Sequence, residues 1–198
     1  MTKLNLGCGL NAIDGDGWIN VDAYDGPAVD VIWDLEVVPW RLAGEGANLG
    51  KCKILPLGDG EVDEVALIHT LEHIGQASAR FISFMIELYR VSAPGAIIRI
   101  HVPHPRHDDF LGDPTHVRPV TPQMLELFSK KANLAWQAGG FANTPLALRH
   151  DVDFELQHVE YILDERFSAH ERNAALDYQF AHGFNVCREI RMTLIVIK

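Results

Sequence analysis

The sequence predicts an α/β fold built on an open, mostly parallel sheet, and one stretch of the chain carries most of that prediction. Residues 61–69 are expected to form a strand, residues 76–93 have helical periodicity, and residues 96–102 form a mostly apolar strand. A strand, a helix and a second strand of the type buried on both faces make a βαβ unit, whose strands lie parallel in one sheet. With 198 residues, the chain has room for one domain.

Three short strands are expected before that unit, at residues 3–6, 18–21 and 29–33. The segment 41–60 is rich in glycine and small residues, which favours a loop with room for a short hairpin. Each early strand runs directly into a turn residue or an acid, and these are Gly7-Cys8-Gly9, Asp22 and Asp34.

The helix predicted at 76–93 is amphipathic, and Pro94-Gly95 should end it. Its core face carries Phe81, Phe84, Met85, Leu88 and Val91. A second helix should begin at Thr121-Pro122 and run through about Lys131. Lys130 and Lys131 would then lie at its carboxyl end, where positive charge is favourable.

The last part of the chain is expected to add one helix and two long strands. Ser168 with Glu171 matches a capping box that would begin the helix, and Gly183 suits its end. The strands are predicted at residues 152–163 and 188–197.

Composition limits the partners. The chain has 17 Lys and Arg against 27 Asp and Glu, a formal net charge of -10, which disfavours binding to phosphate backbones. No apolar run reaches the roughly 18 residues of a membrane-spanning helix, and the first residues lack the features of a signal peptide. We therefore expect a cytoplasmic protein with neither a nucleic-acid nor a membrane partner. Three widely spaced cysteines indicate neither a disulfide framework nor a thiolate metal site.

Ligands of open α/β sheets bind at the carboxyl ends of the strands. Gly7, Gly9 and Ala12 satisfy the loose G-x-G-x-x-A pattern of dinucleotide sites, but residues 11–18 make a poor helix, which disfavours a nicotinamide or flavin site. The residues expected to meet at this edge are Gly7-Cys8-Gly9, Asp22, Asp34, His69 and His104.

Five sequence blocks follow one another in residues 3–105: Leu4-Asn5-Leu6-Gly7-Cys8-Gly9, Val21-Asp22, Asp34-Leu35, His69-Thr70-Leu71-Glu72-His73-Ile74 and Leu88-Tyr89-Arg90-Val91. In this order they resemble the class I S-adenosylmethionine-dependent methyltransferases, in particular the methyltransferase-11-like family. The resemblance implies a single-domain Rossmann-like fold with a mostly parallel seven-stranded sheet and an antiparallel C-terminal strand.

The resemblance also implies S-adenosyl-L-methionine as cofactor. Asp22 would accept the ribose hydroxyls, Asp34 the adenine amino group, and Leu35 would lie against the ring. His69 and the Leu71-Glu72-His73 segment would line the floor near the sulfonium, although a structural role for Glu72 and His73 is equally open. The implied cofactor residues are Asn5, Gly7, Cys8, Gly9, Asp22, Asp34, Leu35 and His69.

Residues 101–119 form an unusual stretch rich in His, Asp and Pro. Transfer of a methyl group to a hydroxyl needs a base, and a histidine or a carboxylate can serve. Within the stretch, Asp113-Pro114-Thr115-His116-Val117-Arg118 resembles a segment of methyltransferases associated with sugar and surface-polysaccharide genes. The catalytic candidates are His104, His107, Asp113 and His116, and the candidate substrate contacts are Arg106, Asp109 and Arg118.

We therefore expect methyl transfer to an oxygen or nitrogen of a small molecule or sugar, with no metal in the site. One alternative is a metal-dependent hydrolase or lyase, and another is a non-catalytic cofactor-binding protein of the same fold. The metal of the first alternative would be held by His104, His107, Asp108, Asp109 and His116.

The domain boundaries follow from the same resemblance. Residues 1–198 are expected to form one methyltransferase domain, with a cofactor-binding half at 1–105 and a substrate-loop region with the C-terminal strands at 106–198. The long terminal strands leave room for a homodimer.

Overall fold

The computed structural model describes residues 1–40, 57–168 and 173–198. Seven strands form one sheet in the order β3-β2-β1-β4-β5-β7-β6. The strands are β1 (Thr2–Leu6), β2 (Trp18–Asp22), β3 (Val31–Ile32), β4 (Val62–Ile68), β5 (Ser92–Pro103), β6 (Phe154–Leu163) and β7 (Cys187–Val196). Most of the expected loop at 41–60 lies outside the described residues.

The pairing of the strands confirms the predicted fold class. Strands β1 to β5 pair with one another only in parallel, whereas β7 runs antiparallel to both β5 and β6. The carboxyl ends of β1, β2, β3, β4 and β5 therefore lie along one edge of the sheet. Both halves of the chain contribute strands to this sheet.

Seven α-helices are described, and they are mostly short. They are α1 (Ser78–Val91), α2 (Asp108–Leu111), α3 (Pro122–Glu126), α4 (Lys130–Ala138), α5 (Leu146–His150), α6 (Glu165–Ser168) and α7 (Ala174–His182). A 3-10 turn at Leu71–His73 follows β4. None of these helices is long and apolar enough to span a bilayer.

The long helix α1 packs its predicted face against the sheet. Phe84, Met85, Leu88 and Val91 are fully buried, beside strand residues such as Val65. The helix ends at Val91, earlier than predicted, and β5 begins at the next residue. Pro94-Gly95 thus lies within a strand that is longer than the predicted 96–102.

Strand β3 has two residues instead of the five predicted at 29–33. A turn precedes it, in which the Val29 amide donates to the Gly26 carbonyl at 3.2 Å. A second turn follows it, where the Asp34 carboxylate accepts from the Glu36 amide at 2.9 Å. The two turns limit the strand to Val31–Ile32.

The single helix predicted from residue 121 to about 131 is wrong. Thr121 caps a helix as expected, but that helix ends at Glu126, and Ser129 caps the separate helix α4. Between the two helices, the carbonyls of Leu127 and Phe128 accept from the amides of Ala147 and Phe154, at 2.9 and 3.0 Å.

The prediction that Lys130 and Lys131 lie at the carboxyl end of a helix is also wrong. They begin α4 rather than end a helix. Their ammonium groups contact Asp151 and Glu155, at 2.6 and 3.2 Å.

The predicted capping box at Ser168 is also wrong. Ser168 ends the one-turn helix α6, while Asn173 caps α7 and accepts from the Leu176 amide at 3.0 Å. Glu171 lies outside the described residues. Gly183 ends α7 as predicted.

Candidate functional site

Two hollows open at the carboxyl edge of the sheet and meet at Gly7 and His69, and together we call them the groove. The larger has an empty volume of ≈ 960 Å³ and the smaller ≈ 720 Å³. The groove gathers all eight residues implied as cofactor contacts, which are Asn5, Gly7, Cys8, Gly9, Asp22, Asp34, Leu35 and His69.

The glycine turn after β1 forms one wall of the groove. The amides of Gly7 and Cys8 both donate to the Val21 carbonyl, at 2.8 and 3.1 Å. Gly7 has φ +69°, and a Cβ added there would lie 2.4 Å from Thr70 Cγ2. Gly9 has φ +54°, and a Cβ added there would meet no atom within 4 Å. The backbone at Gly9 is therefore not covered by a side chain of its own or, among the described residues, of a neighbour. Such a turn lets a ligand approach the backbone closely.

Asp22, at the end of β2, stabilises this turn. One carboxylate oxygen accepts from the Gly9 amide at 2.8 Å and the other from the Tyr24 amide at 2.9 Å. Each oxygen keeps a lone pair for a ligand in the groove.

Asn5 lies beneath the turn and is 2% exposed. Its amide nitrogen donates to the Asn11 carbonyl and to Asn20 Oδ1, both at 2.9 Å. Asn20 Oδ1 also accepts from the Ile13 amide at 2.8 Å. These bonds fix the loop of residues 9–13 along the smaller hollow.

Cys8 is buried within the same turn. Burial, with a smaller contribution from the nearby Asp22 carboxylate, raises the pKa of the Cys8 thiol to about 11. The side chain therefore stays a neutral thiol near pH 7 and lines the groove without acting as a nucleophile.

The loop after β3 closes the other end of the groove. Asp34 and the buried Leu35 line it, and Glu36 accepts from the Gly75 amide at 2.8 Å. The loop is thereby tied to the segment that follows the Leu71–His73 turn.

His69 stands where the two hollows meet. Its φ of 53° is uncommon for a residue other than glycine, and such strain is concentrated at functional sites. Its Nε2 lies 3.0 Å from Glu189 on β7, and its Nδ1 lies 3.6 Å from Glu72. The hydrogen bond to Glu189, followed by the influence of Glu72, raises the pKa of His69 to about 9.

The stretch that follows β5 divides into two parts with different surroundings. The first part, which holds His104, Arg106, His107 and Asp109, is absent from the groove lining. His104 lies against the rings of Tyr161 and Phe180, and burial lowers the pKa of its imidazole to about 4.

His107, Arg106 and Asp109 attach this first part to the end of the sheet. His107 is 5% exposed, with Nε2 3.1 Å from Asp164. Arg106 donates to the carbonyls of Phe180 and Ala181, and Asp109 accepts from Arg188 at 2.7 Å. These contacts are structural, and the catalytic and substrate roles of these residues stay predictions.

The second part, residues 113–118, meets the groove. Thr115 lines it, and Asp113 accepts from the Thr115 amide and hydroxyl at 2.8 and 2.6 Å. His116 packs on Phe110, with ring centroids 5.3 Å apart. Arg118 donates to the Gly75 carbonyl at 2.8 Å and lies over the ring of Phe81.

The sequence interpretation missed several residues of the groove or beside it, among them Tyr24, Glu36, Thr70, Thr115 and Glu189. Glu189 is separated from His69 by 120 positions, so no local pattern connects the two. Thr70 and Thr115 lie inside the blocks singled out above, and only the fold shows that they reach the groove.

The residues of the alternative metal site are not gathered. Across the described ranges, the one set of three or more His, Cys, Asp or Glu side chains placed to share an ion is Glu72, His73 and His116. Of the five residues proposed for the hydrolase or lyase, only His116 belongs to it.

Comparison with known proteins places the fold. No protein-family profile matches the chain, and no curated protein matches it by sequence. A SAM-dependent methyltransferase from Archaeoglobus fulgidus superposes with a TM-score of 0.58 at 16% identity, over 98% of this chain and 85% of the other.

Two further solved structures agree. A Burkholderia thailandensis 1,6-didemethyltoxoflavin-N1-methyltransferase, crystallised with 1,6-didemethyltoxoflavin and S-adenosylhomocysteine, gives a TM-score of 0.53 at 10% identity, over 100% and 71% of the two chains. A SAM-dependent methyltransferase from Methanosarcina mazei gives 0.50 at 10% identity, over 99% and 92%. The chain has the fold that these proteins share.

Proposed function

We propose that this chain, which has the class I methyltransferase fold, is an S-adenosylmethionine-dependent methyltransferase acting on an oxygen or nitrogen of a small molecule or sugar. The observation that carries the proposal is the groove itself. In this fold the groove brings together a glycine turn, Asp22 at the end of β2, Asp34 in the loop after β3, and His69 with its positive φ.

The groove residues fit the cofactor. S-adenosylmethionine supplies a methyl group carried on a positively charged sulfur. Asp22 would accept from the ribose hydroxyls through its free lone pairs, and Asp34 from the adenine amino group, with Leu35 against the ring. Gly7 and Gly9 would leave room for the methionine portion beside the main chain.

The remaining implied cofactor residues would position the loop, the main chain and the charges around the cofactor. Asn5 fixes the 9–13 loop, and Cys8 presents its main chain and a neutral thiol. His69 would lie near the sulfonium, where the acidic Glu72 and Glu189 offset the charge of its imidazolium. A net acidic surrounding favours a cationic ligand.

The acceptor side is proposed to lie on residues 106–198, and the cofactor side on residues 1–105, within one domain. An acceptor hydroxyl must lose a proton as it receives the methyl group, and the candidates for the base remain His104, His107, Asp113 and His116. Thr115, between Asp113 and His116, is the part of this stretch that reaches the groove.

The choice of acceptor class is supported by charge. With a net charge of -10 the chain repels phosphate backbones, which supports a small molecule or sugar over a nucleic acid. Arg106, Asp109 and Arg118 stay the proposed substrate contacts. A homodimer and a cytoplasmic location belong to the same proposal and rest on the sequence alone.

Calorimetric titration with S-adenosylhomocysteine tests the proposal. We expect saturable binding by the full chain, and a loss of at least about tenfold in Asp22→Ala, because a charge-assisted hydrogen bond contributes about 1.5–3 kcal/mol. The exposed Asp16, outside the groove lining, provides the control Asp16→Ala, which should bind like the unaltered chain.

Three outcomes separate the alternatives. Absence of binding at millimolar ligand would contradict the proposal, and so would equal affinity in both variants. Binding without methyl transfer across a broad panel of hydroxyl and amine acceptors would instead favour a non-catalytic cofactor-binding protein.

A further inference from the structure

Glu72, His73 and His116 form a cluster at the wall of the groove. One nitrogen from each ring and one carboxylate oxygen all lie within 4.8 Å of one another. The rings of His73 and His116 are 4.6 Å apart between centroids. Glu72 and His73 belong to the 3-10 turn after β4, whereas His116 comes from the stretch after β5.

Glu72 is a buried acid whose carboxylate lacks hydrogen bonds from the described part of the chain. The residue is 0% exposed, and within the described residues neither of its carboxylate oxygens accepts a hydrogen bond. The nearest ring nitrogens, His69 Nδ1 at 3.6 Å and His116 Nε2 at 4.0 Å, are too distant for one. His69, at 3.6 Å, is an ion-pair partner of Glu72 but donates no hydrogen bond to it. Burying a carboxylate whose oxygens accept no hydrogen bond is costly, and a bound cation would coordinate those oxygens directly.

The tautomer of His116 is set by its surroundings. Its Nδ1 lies 2.9 Å from the Phe110 carbonyl. A carbonyl oxygen can only accept, so Nδ1 carries a proton. In the neutral imidazole the lone pair is then on Nε2, which lies 4.0 Å from Glu72 and 3.8 Å from Asp113.

The tautomer of His73 is set in the same way through a hydroxyl. Thr115 Oγ1 donates to Asp113 at 2.6 Å, which uses its one proton. The hydroxyl must therefore accept from His73 Nδ1, 2.9 Å away, and the lone pair of His73 is left on Nε2. Metal-binding histidines characteristically donate their other ring N–H in this manner.

Backbone contacts hold the three side chains in place. The amides of Val117 and Arg118 donate to the Glu72 carbonyl at 3.0 and 3.3 Å, which attaches the loop of His116 to the turn of Glu72. Phe110 stacks on His116 with an interplanar angle of 24°. The cluster is thus built by two segments far apart in sequence, whose contacts keep Glu72 and His116 side by side.

We propose that Glu72, His73 and His116 bind a divalent transition metal such as Zn²⁺. Two neutral imidazoles and one carboxylate form a ligand set that suits Zn²⁺ or Fe²⁺ and leaves positions open for water or another oxygen ligand. His73 and Thr115 line the groove, so the cluster lies at its wall.

The metal site is tested separately from the proposed methyl transfer, but the two share Glu72, whose carboxylate also offsets the charge of His69. Metal binding gives His116 a role other than general base, because its Nε2 lone pair is donated to the metal. The proposed ligands also differ from the five metal ligands suggested by the sequence, with which they share only His116.

Metal titration of the full chain tests the site. After treatment with a chelator, calorimetry with Zn²⁺ and visible spectroscopy with Co²⁺ should show one tight equivalent. In Glu72→Gln or His116→Ala the affinity should fall by more than about 100-fold, since loss of even an outer partner costs about 10–100-fold. His158→Ala, at an exposed histidine on β6, is the control and should bind as before.

Thr115→Val covers the case in which a buried variant fails to fold. It removes only the hydroxyl that fixes His73, and the Zn²⁺ affinity should fall by about 10–100-fold. Absence of a stoichiometric metal, or equal Zn²⁺ affinity in Thr115→Val and the unaltered chain, would overturn the proposal. S-adenosylhomocysteine binding, measured separately without metal, distinguishes failure of this site from failure of the proposed function.

Discussion

Single residues define the groove through their backbone as much as through their side chains. Gly7, Gly9 and His69 all have positive φ angles, and all three line it. Glycine adopts a positive φ with little strain. In His69 the same conformation is strained, and the surrounding structure stabilises it.

Replacement of Gly7 by alanine tests the tight contact between the turn and Thr70. The added methyl meets Thr70 Cγ2 in a backbone conformation that already disfavours alanine. We expect Gly7→Ala to lower the free energy of unfolding by about 2–5 kcal/mol, from overpacking and the left-handed conformation together.

Gly140 is the matched control for this substitution. It has φ +72° but open space around a Cβ, so Gly140→Ala should cost only about 1–2 kcal/mol. Urea denaturation of both variants makes the comparison. Equal losses would show that Thr70 does not pack against the turn.

His69 should titrate far above an ordinary histidine. The pKa of His69 is raised to about 9 chiefly by Glu189, so it should return toward 6.5 in Glu189→Gln. The control is Glu155→Gln on β6, where the carboxylate contacts Lys131, and this change should leave the His69 pKa unchanged. NMR of histidine-labelled protein measures this. A His69 pKa near 6.5 in the unaltered chain would show that the pair does not form.

The same pair predicts how stability depends on pH. Because the pKa of His69 is raised to about 9, its contribution is complete below about 6.5 and is lost as the pH rises through 9. The pKa of Glu189 is lowered to about 2, so its contribution is present above about 4.5 and is lost as the pH falls toward 2. The pair therefore stabilises most between pH 4.5 and 6.5.

At the scale of secondary-structure elements, local sequence patterns predicted the strands and the helix face that depend on local sequence. Alternation and apolar runs located β1, β2, β4 and β5, and helical spacing located the buried face of α1. The break between α3 and α4 was not predictable, because it depends on hydrogen bonds from Ala147 and Phe154, which lie far along the chain. The same is true of the pairing of Glu189 with His69.

A single substitution distinguishes the broken helix from a continuous one. Ser129 caps α4 by accepting from the Ala132 amide, so Ser129→Ala should reduce the free energy of unfolding by about 0.5–2 kcal/mol. In a continuous helix the same change would be neutral or stabilising, because alanine has the higher helix propensity. Thermal denaturation decides the sign, and Ser83→Ala inside α1 serves as the helix-interior control.

At the scale of the whole molecule, the topology of the sheet assembles the site. The parallel strands bring their carboxyl ends to one edge, so residues from Asn5 to Leu35 and His69 meet although they lie on separate segments of the chain. That these strand ends meet at one edge could be anticipated from residues 3–105. The attachment of residues 113–118 to the Leu71–His73 turn, which creates the Glu72 cluster, could not.

A crystal structure of the chain with saturating S-adenosylhomocysteine would show whether the groove is the cofactor site. We expect the ligand to lie lengthwise in the groove, with its ribose at Asp22, its adenine between Asp34 and Leu35, and its amino-acid portion beside the Gly7-Cys8-Gly9 turn. A ligand bound anywhere else on the molecule, or a groove without ligand at saturation, would contradict this assignment.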